Sequence, residues 1–339
     1  MTFTKDSEAV FTGLNLILKP TETLVSNATS LVSWLSEFQP APVWIPLKAH
    51  DGVTKVMPVL PDLVLYPNLM EQICQRIGNG NYLEWQEQPY EMVGVEVNAQ
   101  ILHIIHVSLI ATAPLPPTLG RAIHAQCFQW FANTDPALAQ HLHQQENVPF
   151  TLGIRYLTPK KMQLRITLLK QELLAPLLWG LHINLGGEIM LTGVPCRLGK
   201  SIDISQASSF TELAQLPTQN TIELKFLSPT SFKQAGKVQP FPLPELVFGS
   251  LWRRWNAFAP PELKFPAVEW DAQVSAFELK TYALKLEAGA EIGAEGWVKY
   301  RFLDSEQARI ATVLAHFANF AGVGRKTAMG MGQVIIRNS

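Results

Sequence analysis

The same order of predicted strands and helices occurs twice in this 339-residue chain, once in its middle and once in its last third. Each copy has the order strand, helix, strand, strand, helix, strand, because stretches rich in β-branched residues alternate with stretches whose apolar side chains recur every three to four positions. The middle copy has predicted strands at 101–111, 150–157, 162–168 and 188–198 and predicted helices at 119–132, 136–143 and 172–181. The later copy has predicted strands at 221–227, 277–287, 297–302 and 333–337 and predicted helices at 244–258 and 305–320.

This order is the split βαβ arrangement of a ferredoxin-like fold. The sequence therefore predicts an α+β protein with tandem ferredoxin-like (RRM-like) domains at 99–205 and 220–339. Residues 1–98 are predicted to add an N-terminal α/β segment of unassigned function, with a strand at 11–18, an amphipathic stretch at 23–38, a helix at 69–77 and a turn at 78–81. Two such sheets side by side, each with one open face, would form a long cleft suited to a strand of nucleic acid.

Two helix starts in the middle copy have residues that favour capping. Thr118 precedes the predicted 119–132 helix, and its hydroxyl can accept a hydrogen bond from an amide of the first turn. Asp135 precedes the predicted 136–143 helix, with Pro136 at the first helical position.

The composition excludes several classes of protein. With 47% hydrophobic and 16% charged residues, the chain is too apolar to be disordered. The apolar run at 101–115 is interrupted by His103, His106 and Pro114, and the first residues lack the pattern of a secretory signal. No Cys-x-x-Cys pair occurs among the three cysteines, Cys74, Cys127 and Cys196. We therefore expect a cytoplasmic protein that spans no membrane and has no disulfide, metal site or cofactor.

Charge is distributed unevenly along the chain, although the formal net charge is only −1. Residues 1–100 hold five Lys/Arg and 11 Asp/Glu residues, whereas residues 101–339 hold 22 and 17. An acidic first third before a basic remainder favours a polyanionic partner for residues 101–339 alone. The alternative interpretation is ordinary variation in surface charge.

A glycine-rich segment at 322–332 is the most specific local feature of the sequence. Its two Gly-x-Gly pairs bracket five residues and consist of Gly322, Gly324, Gly330 and Gly332. Glycine permits positive φ angles, and successive amides in such turns can bind an anion beside the enclosed Arg325 and Lys326. A Walker loop and a dinucleotide fingerprint are excluded, because Lys326 precedes the closing glycine and no strand leads into the segment. The alternative is a hairpin whose glycines serve tight packing alone.

This segment resembles the C-terminal glycine-rich loop of CRISPR pre-crRNA processing endoribonucleases, members of the RAMP superfamily. Further stretches look like other parts of that family. Residues 116–124, 135–143 and 149–151 are similar to its first helix and the loop that follows. Residues 226–233 and 247–256 are similar to the opening of its second ferredoxin-like domain. The resemblance covers about residues 100–339.

The resemblance implies an endoribonuclease that cuts CRISPR precursor RNA within its repeats, needs no metal ion and retains its product. In such enzymes a 2′-hydroxyl attacks the adjacent phosphodiester and leaves a 2′,3′-cyclic phosphate and a 5′-hydroxyl. This chemistry needs a general base, a general acid and a cation near the phosphate. The implied partners are CRISPR repeat RNA, its crRNA product and proteins of a CRISPR effector complex, with the chain itself a monomer or a homodimer.

Three histidines are candidates for the proton-transfer roles, since imidazole titrates near neutral pH. His143 matches the position where the family commonly has its catalytic histidine. It also ends the predicted 136–143 helix, whose dipole favours the imidazolium and hence an acid role. The further candidates are His124 and His141.

One departure from the family leaves part of the mechanism open. Some members have a tyrosine in the first helix where this chain has Phe128, and a lysine soon afterwards that Pro149 and Phe150 do not supply. The second proton-transfer role and the cation therefore stay open among the other histidines and Arg155, Tyr156, Lys160 and Lys161.

The predicted RNA contacts are basic residues and the glycines that allow close approach. They are Gly322, Gly324, Arg325, Lys326, Gly330 and Gly332, then Arg253 and Arg254 beside two tryptophans, and then Lys160 and Lys161. The alternative interpretation for Arg253 and Arg254 is a solvated helix face. The alternative for Lys160 and Lys161 is a polar hairpin turn. Two other functions stay open: a non-catalytic crRNA-binding structural subunit of an effector complex, and a protein-docking role for residues 1–98.

Overall fold

The computed structural model of the chain describes residues 13–21, 28–50, 53–77, 82–116, 119–286 and 289–337. Its strands are β1 (Gly13–Pro20), β2 (Thr29–Ser30), β3 (Val43–His50), β4 (Val53–Val59), β5 (Tyr82–Trp85), β6 (Gln88–Asn98), β7 (Leu102–Ala111), β8 (Phe150–Thr158), β9 (Lys161–Leu168), β10 (Glu188–Leu191), β11 (Val194–Ser208), β12 (Thr221–Thr230), β13 (Phe232–Gln234), β14 (Lys237–Gln239), β15 (Ala272–Leu286), β16 (Gly289–Phe302) and β17 (Val334–Arg337). Its helices are α1 (Leu31–Trp34), α2 (Tyr66–Ile77), α3 (Gly120–Thr134), α4 (Pro136–Gln144), α5 (Leu174–His182), α6 (Phe210–Ala214), α7 (Pro244–Phe258) and α8 (Ser305–Ala321).

The strand order in both sheets is that of a ferredoxin-like fold. The first domain has the order β11-β7-β9-β8, and neighbouring strands in it are antiparallel. The second domain has the order β15-β16-β12-β17, which is the same arrangement read from the other edge. In each sheet the first strand of the repeat lies between the third and the last. The predicted α+β fold with tandem ferredoxin-like domains is therefore confirmed.

The N-terminal strands belong to the same sheet as the first ferredoxin-like domain. Strand β3 pairs in parallel with β11, with Leu47 opposite Ile202, and the sheet continues through β4, β1, β6 and β5 to β2. One cluster of buried side chains runs under both parts and includes Leu16, Val56 and Trp130. Because apolar burial is the main stabilising contribution to a fold, the two parts stabilise each other.

Several predicted boundaries differ from the structure. The strand predicted at 188–198 is a hairpin, because Thr192 and Gly193 have φ angles of 50° and 80° and reverse the chain between β10 and β11. Strands β15 and β16 begin earlier than predicted and form one long hairpin. The described part of the stretch at 23–38 holds strand β2 and the short helix α1 in place of one amphipathic element. Phe11, Thr118 and the turn at 78–81 lie outside the described residues.

Helices α7 and α8 cover one face of the second sheet. Leu251 and Trp255 of α7 and Leu314 and Phe317 of α8 are fully buried there. The spacing of these residues places them on one side of each helix, which explains why both helices were predictable from apolar periodicity. Among the described helices, none is long and apolar enough to cross a bilayer.

Helix α8 also packs against the first sheet. The Thr151 hydroxyl on β8 donates a hydrogen bond to the carbonyl oxygen of Phe320 at 3.3 Å. The Arg165 guanidinium on β9 donates to the side-chain oxygen of Gln333 at 2.7 Å and to the main-chain oxygen of Asn319. This part of the first sheet is therefore covered by the second domain. The expectation of two open sheet faces lining one cleft is wrong here.

Candidate functional site

A cavity of about 550 Å³ lies between the two ferredoxin-like domains, beside their helices. The first domain lines it with α3, the end of α4 and residues 146–148, and the second domain lines it with α7 and the glycine-rich segment. The predicted site residues in its wall are His124, His143, Arg254, Gly324, Arg325 and Lys326. The fold thus brings together two of the candidate histidines and three of the candidate cations.

Phe128 lies between the two histidine rings of the cavity. His124 and Phe128 are one turn apart on α3, with ring centroids 4.8 Å apart. The edge of the Phe128 ring also contacts His143, with centroids 5.2 Å apart and an interplanar angle of 88°. The position that the family resemblance assigns to a tyrosine therefore holds a ring that orients both imidazoles but has no proton to transfer.

The N-terminal cap of α4 fixes where the helix begins and so positions His143 in its last turn. The Asp135 carboxylate accepts hydrogen bonds from the amides of Ala137 at 2.8 Å and Leu138 at 3.1 Å, as predicted for a capping residue. The helix then runs for two turns and exposes His143 in its last turn. His143 thus enters the cavity from the C-terminal end of α4, opposite His124 across the Phe128 ring.

The tautomer of His124 is fixed by the main chain. Its Nδ1 lies 2.9 Å from the carbonyl oxygen of Ala328, and because a carbonyl only accepts, Nδ1 carries the proton. Burial lowers the pKa of His124 below the usual value of 6.5, opposed by the Ala328 carbonyl and assisted by the charge of His143. Nε2 of a neutral His124 then has a free lone pair at neutral pH. His124 is therefore suited to accept a proton.

The glycines of the 322–332 segment permit close packing of its backbone. A Cβ atom on Gly332 would lie 2.1 Å from the carbonyl oxygen of Val323, and one on Gly324 would lie 2.3 Å from that of Ser231. Both glycines also have positive φ angles, 69° and 79°. No side chain fits these positions without displacing the backbone. Tight packing therefore requires glycine at both Gly324 and Gly332, as the alternative interpretation of the segment proposed.

Several amides of this segment are used by the protein itself. The amide of Val323 donates to the carbonyl of Gly332 at 2.8 Å, and the amide of Arg325 donates to Ser231 at 3.0 Å. The amide of Gly324 donates to the Ser250 hydroxyl at 3.1 Å. At these positions the expected anion-binding concavity of successive amides is wrong, because each donor already has an acceptor.

Arg325 and Lys326 are both paired with a buried carboxylate, Glu291. A guanidinium nitrogen of Arg325 lies 2.9 Å from one carboxylate oxygen, and the Lys326 ammonium contacts the other. Glu291 is 6% exposed, whereas the side chains of Arg325 and Lys326 are 35% and 28% exposed. The two cations therefore stand in the cavity wall and the carboxylate stands behind them.

Within the described part of the chain, Arg254 is a cavity cation that pairs with no carboxylate. A terminal nitrogen of Arg254 donates to the carbonyl of Val148 at 3.3 Å, and the guanidinium lies 5.7 Å from the centre of the Phe258 ring. Burial lowers the pKa of Arg254 to about 10, so the group stays charged at neutral pH. Among the described residues, no carboxylate pairs with it. Its neighbour Arg253 is exposed on the same helix.

Among the described residues, seven predicted site residues do not line the cavity: Gly322, Gly330 and Gly332 of the glycine-rich segment, Arg253 of α7, and His141, Lys160 and Lys161. His141 is exposed on α4, where its Nε2 accepts a hydrogen bond from the Gln145 amide at 2.8 Å. Lys160 and Lys161 form the exposed turn between β8 and β9, and their amides donate to the Thr158 hydroxyl. These positions match the polar hairpin that was the alternative interpretation for the two lysines.

Glu291 and the Ala328 carbonyl were not identified from the sequence. Glu291 is one acidic residue in a long hairpin, and no spacing relates it to Arg325 or Lys326. A main-chain oxygen leaves no trace in a sequence pattern. Among the described residues, no group of three or more His, Cys, Asp or Glu side chains is arranged to hold a metal ion.

The chain is similar to known CRISPR proteins in sequence. The family described as "CRISPR-associated endoribonuclease Cas6" matches residues 224–334. The Cas6 endoribonucleases of two Mycobacterium tuberculosis strains, CDC 1551 / Oshkosh and H37Rv, are each 28% identical over 160 residues, which are 45% of this chain and 51% of theirs. The chain therefore spans about half the length of the curated relatives it matches. The resemblance to pre-crRNA processing endoribonucleases is confirmed.

Solved structures give the same result. A Cas6 product complex has a TM-score of 0.64 at 27% identity and covers 70% of this chain and 100% of its own. A second Cas6 product complex has a TM-score of 0.58 at 26% identity, with the same coverage. Cas6 of Thermus thermophilus has a TM-score of 0.57 at 27% identity and covers 71% of this chain and 100% of its own.

Proposed function

We propose that this chain is an endoribonuclease that cleaves CRISPR precursor RNA within its repeats, by a mechanism that needs no metal ion. The observation that carries the proposal is the arrangement of one cavity. His124, His143 and three cations share its wall, which supports a role for the first histidine as proton acceptor and for the second as proton donor. These are the groups that transesterification of RNA requires. The similarity to Cas6 endoribonucleases supports the same conclusion.

The proposed reaction begins with the 2′-hydroxyl of the nucleotide before the cut. His124 Nε2 takes its proton, the 2′-oxygen bonds to the adjacent phosphorus, and the bond from phosphorus to the 5′-oxygen breaks. His143 gives its proton to the departing 5′-oxygen. The products are a 2′,3′-cyclic phosphate and a 5′-hydroxyl, and proton exchange with water returns both imidazoles to their starting states. A neutral His124 fits the first of these roles, and the second requires that His143 carry a proton when the RNA binds.

The cations of the cavity have a separate task. Charge accumulates on the non-bridging phosphate oxygens in the transition state, and a pre-positioned cation stabilises it there. Arg254 is suited to this because it is partly buried and has no carboxylate partner among the described residues. Arg325 and Lys326 are proposed to hold the RNA backbone, since their charges are shared with Glu291.

We propose that the RNA is held on both sides of the cut. The glycine-rich segment with Gly322, Gly324, Gly330 and Gly332 allows close approach of RNA to the cavity, and Arg253, Lys160 and Lys161 are proposed to contact flanking nucleotides. The related Cas6 structures in product complexes support retention of the product.

We also propose that the chain is divided into segments at 1–98, 99–205 and 220–339. We propose a cytoplasmic location and a monomer or homodimer, with proteins of an effector complex as further partners.

A second candidate function is a non-catalytic crRNA-binding subunit of an effector complex. Phe128 favours it, because an apolar ring occupies the position of a tyrosine that takes part in catalysis in some relatives. In that case the chain binds repeat RNA through the same cations without cutting it. The two candidates predict the same affinity and opposite results in a cleavage assay.

Alanine substitutions of the histidines test the proposal. His143→Ala and His124→Ala are each expected to slow single-turnover cleavage of repeat RNA by about 100-fold or more while RNA affinity stays within about twofold. His141→Ala, on the same helix as His143, is the matched control and should cleave like the wild type. Wild-type rates for both cavity variants would contradict the mechanism. Binding without cutting by the unmodified chain would support the second candidate.

A further inference from the structure

Glu291 is a buried acid directly behind the two cations of the glycine-rich segment. We infer that Glu291 is a built-in counter-ion that limits this segment to one RNA phosphate, an inference that rests on the proposed function. Its carboxylate accepts from the Ser231 hydroxyl at 3.2 Å, from Arg325 at 2.9 Å and from Lys326. Both oxygens are therefore engaged, and the group cannot turn away from the cations.

The charge of this cluster matches one phosphodiester. Arg325 and Lys326 carry two positive charges and Glu291 carries one negative charge, so the cluster has a net charge of about one. One RNA phosphate neutralises that remainder. Arginine has five N–H donors and lysine has three, so both cations keep donors free for a phosphate after pairing with Glu291.

The backbone of the segment explains why a fixed counter-ion is useful. Lys326 has a φ of 55°, in the left-handed region that non-glycine residues rarely adopt. Two adjacent like charges on such a turn repel each other, and the buried carboxylate removes much of this repulsion. Glu291 stands on β16, so the sheet fixes where the cations lie before RNA arrives. Its role is positioning and charge matching, since it does not itself line the cavity as the described residues define it.

A second carboxylate of the same sheet supplies the control. Glu223 on β12 pairs with Lys299 at 3.3 Å and with Arg337 at 2.9 Å. Its side chain is 13% exposed, and neither cation belongs to the cavity wall formed by the described residues. Glu223→Gln therefore removes the same charge and frees two cations, but away from the cavity. Any effect of net charge alone should appear equally in both variants.

The test measures RNA affinity as a function of salt in the whole chain. A hairpin RNA with the sequence of a CRISPR repeat is titrated with protein at several KCl concentrations between about 50 and 300 mM. Every protein compared also carries His143→Ala, so that the RNA is bound but not cut. Each extra phosphate neutralised steepens the plot of log K against log salt by about 0.7 to 0.9. Glu291→Gln should add one such step and bind about threefold tighter or more at the lowest salt. Glu223→Gln should leave the slope unchanged.

Neutralising Lys326, one of the two cations that pair with Glu291, gives a second arm. Lys326→Gln should flatten the slope by one step, because Glu291 then neutralises Arg325. The double variant Glu291→Gln with Lys326→Gln should return to the slope of the starting protein. This arm is informative even where Glu291→Gln alone folds poorly in a thermal unfolding control.

The outcomes separate this inference from the proposed function. An unchanged slope in Glu291→Gln, equal steepening in Glu223→Gln, or an unchanged slope in Lys326→Gln would overturn the charge-matching role while RNA binding and cleavage by the unmodified chain still stand. Failure of the unmodified chain to bind the hairpin at low salt would overturn the proposed function, and the inference with it.

Discussion

His124 Nδ1 donates a hydrogen bond to the main-chain oxygen of Ala328 at 2.9 Å, although the two residues are 204 positions apart in the chain. The bond joins α3 of the first ferredoxin-like domain to the glycine-rich segment of the second. It also fixes the tautomer of His124, because the proton on Nδ1 leaves Nε2 free to accept another. One hydrogen bond therefore both joins the two domains and determines which nitrogen of the proposed base can accept a proton.

The pH dependence of cleavage should report this base. Burial lowers the pKa of His124 below 6.5, so the neutral form that accepts a proton persists to pH values below that. The single-turnover rate should stay high as the pH falls to 6.5 and decline only below it. In His124→Ala, this acidic decline should be absent from the residual activity. A decline centred above pH 6.5 in the wild type would contradict the assignment.

The neighbouring arginines of α7 should behave differently. Arg254→Gln removes the cavity cation that pairs with no carboxylate among the described residues, and it should lower the single-turnover rate by about 100-fold, with RNA affinity changed by less than about threefold. Arg253→Gln is the matched control on the exposed side and should weaken binding by about threefold without slowing the cut. Equal effects of the two substitutions on the rate would refute the role of Arg254.

A methyl group on Gly332 should dislodge the glycine-rich segment. Gly332→Ala places a Cβ 2.1 Å from the Val323 carbonyl at a φ of 69°. The free energy of unfolding should fall by about 2 kcal/mol or more, and cleavage should be lost because Ala328 no longer reaches His124. Gly193→Ala has a similar φ of 80° with nothing within 4 Å, so it isolates the conformational cost of about 1 kcal/mol. Differential scanning calorimetry and cleavage assays of both variants provide the comparison.

His103 should make the fold sensitive to acid. It is fully buried, and burial lowers its pKa to about 4 from the usual 6.5. The unfolded chain therefore takes up a proton at a higher pH than the folded chain does. The free energy of unfolding should be unaffected by this group above pH 6.5 and fall as the pH decreases from 6.5 to 4, by about 3 kcal/mol.

His103→Gln provides the measurement for this acid sensitivity. The variant keeps a polar side chain beside Asn98, whose amide lies 3.2 Å from His103 Nε2. Urea unfolding at several pH values should give a shallower acid dependence for the variant than for the wild type. Parallel curves would show that His103 does not contribute.

The sequence predicted elements whose signals are local. Helix α7 begins at Pro244 and ends at Phe258, as expected from the proline start and the apolar spacing, and Asp135 caps α4 as expected. The order of strands also follows from local patterns, since each strand and helix is recognised by its own periodicity. The proposed function and the role of His143 came from the resemblance to a known family, because periodicity alone predicts secondary structure and not chemistry.

Relationships between distant residues were not predictable from local patterns. Strand β3 has no feature that selects β11 as its neighbour, so the shared sheet was not foreseen. The ion pairs of Arg325 and Lys326 depend on Glu291, which comes from a different hairpin. The greater role assigned to His124 likewise rests on Ala328, a residue whose side chain gives no signal. Such contacts are set by tertiary packing and not by spacing in the chain.

Cleavage of a CRISPR repeat hairpin in the presence of EDTA tests the central claim most directly. The purified chain should cut the RNA at one position within the repeat, with products that carry a 2′,3′-cyclic phosphate and a 5′-hydroxyl, and His143→Ala should cut it at least about 100-fold more slowly. RNA that stays uncut, or that is cut only after magnesium is added, would contradict the account.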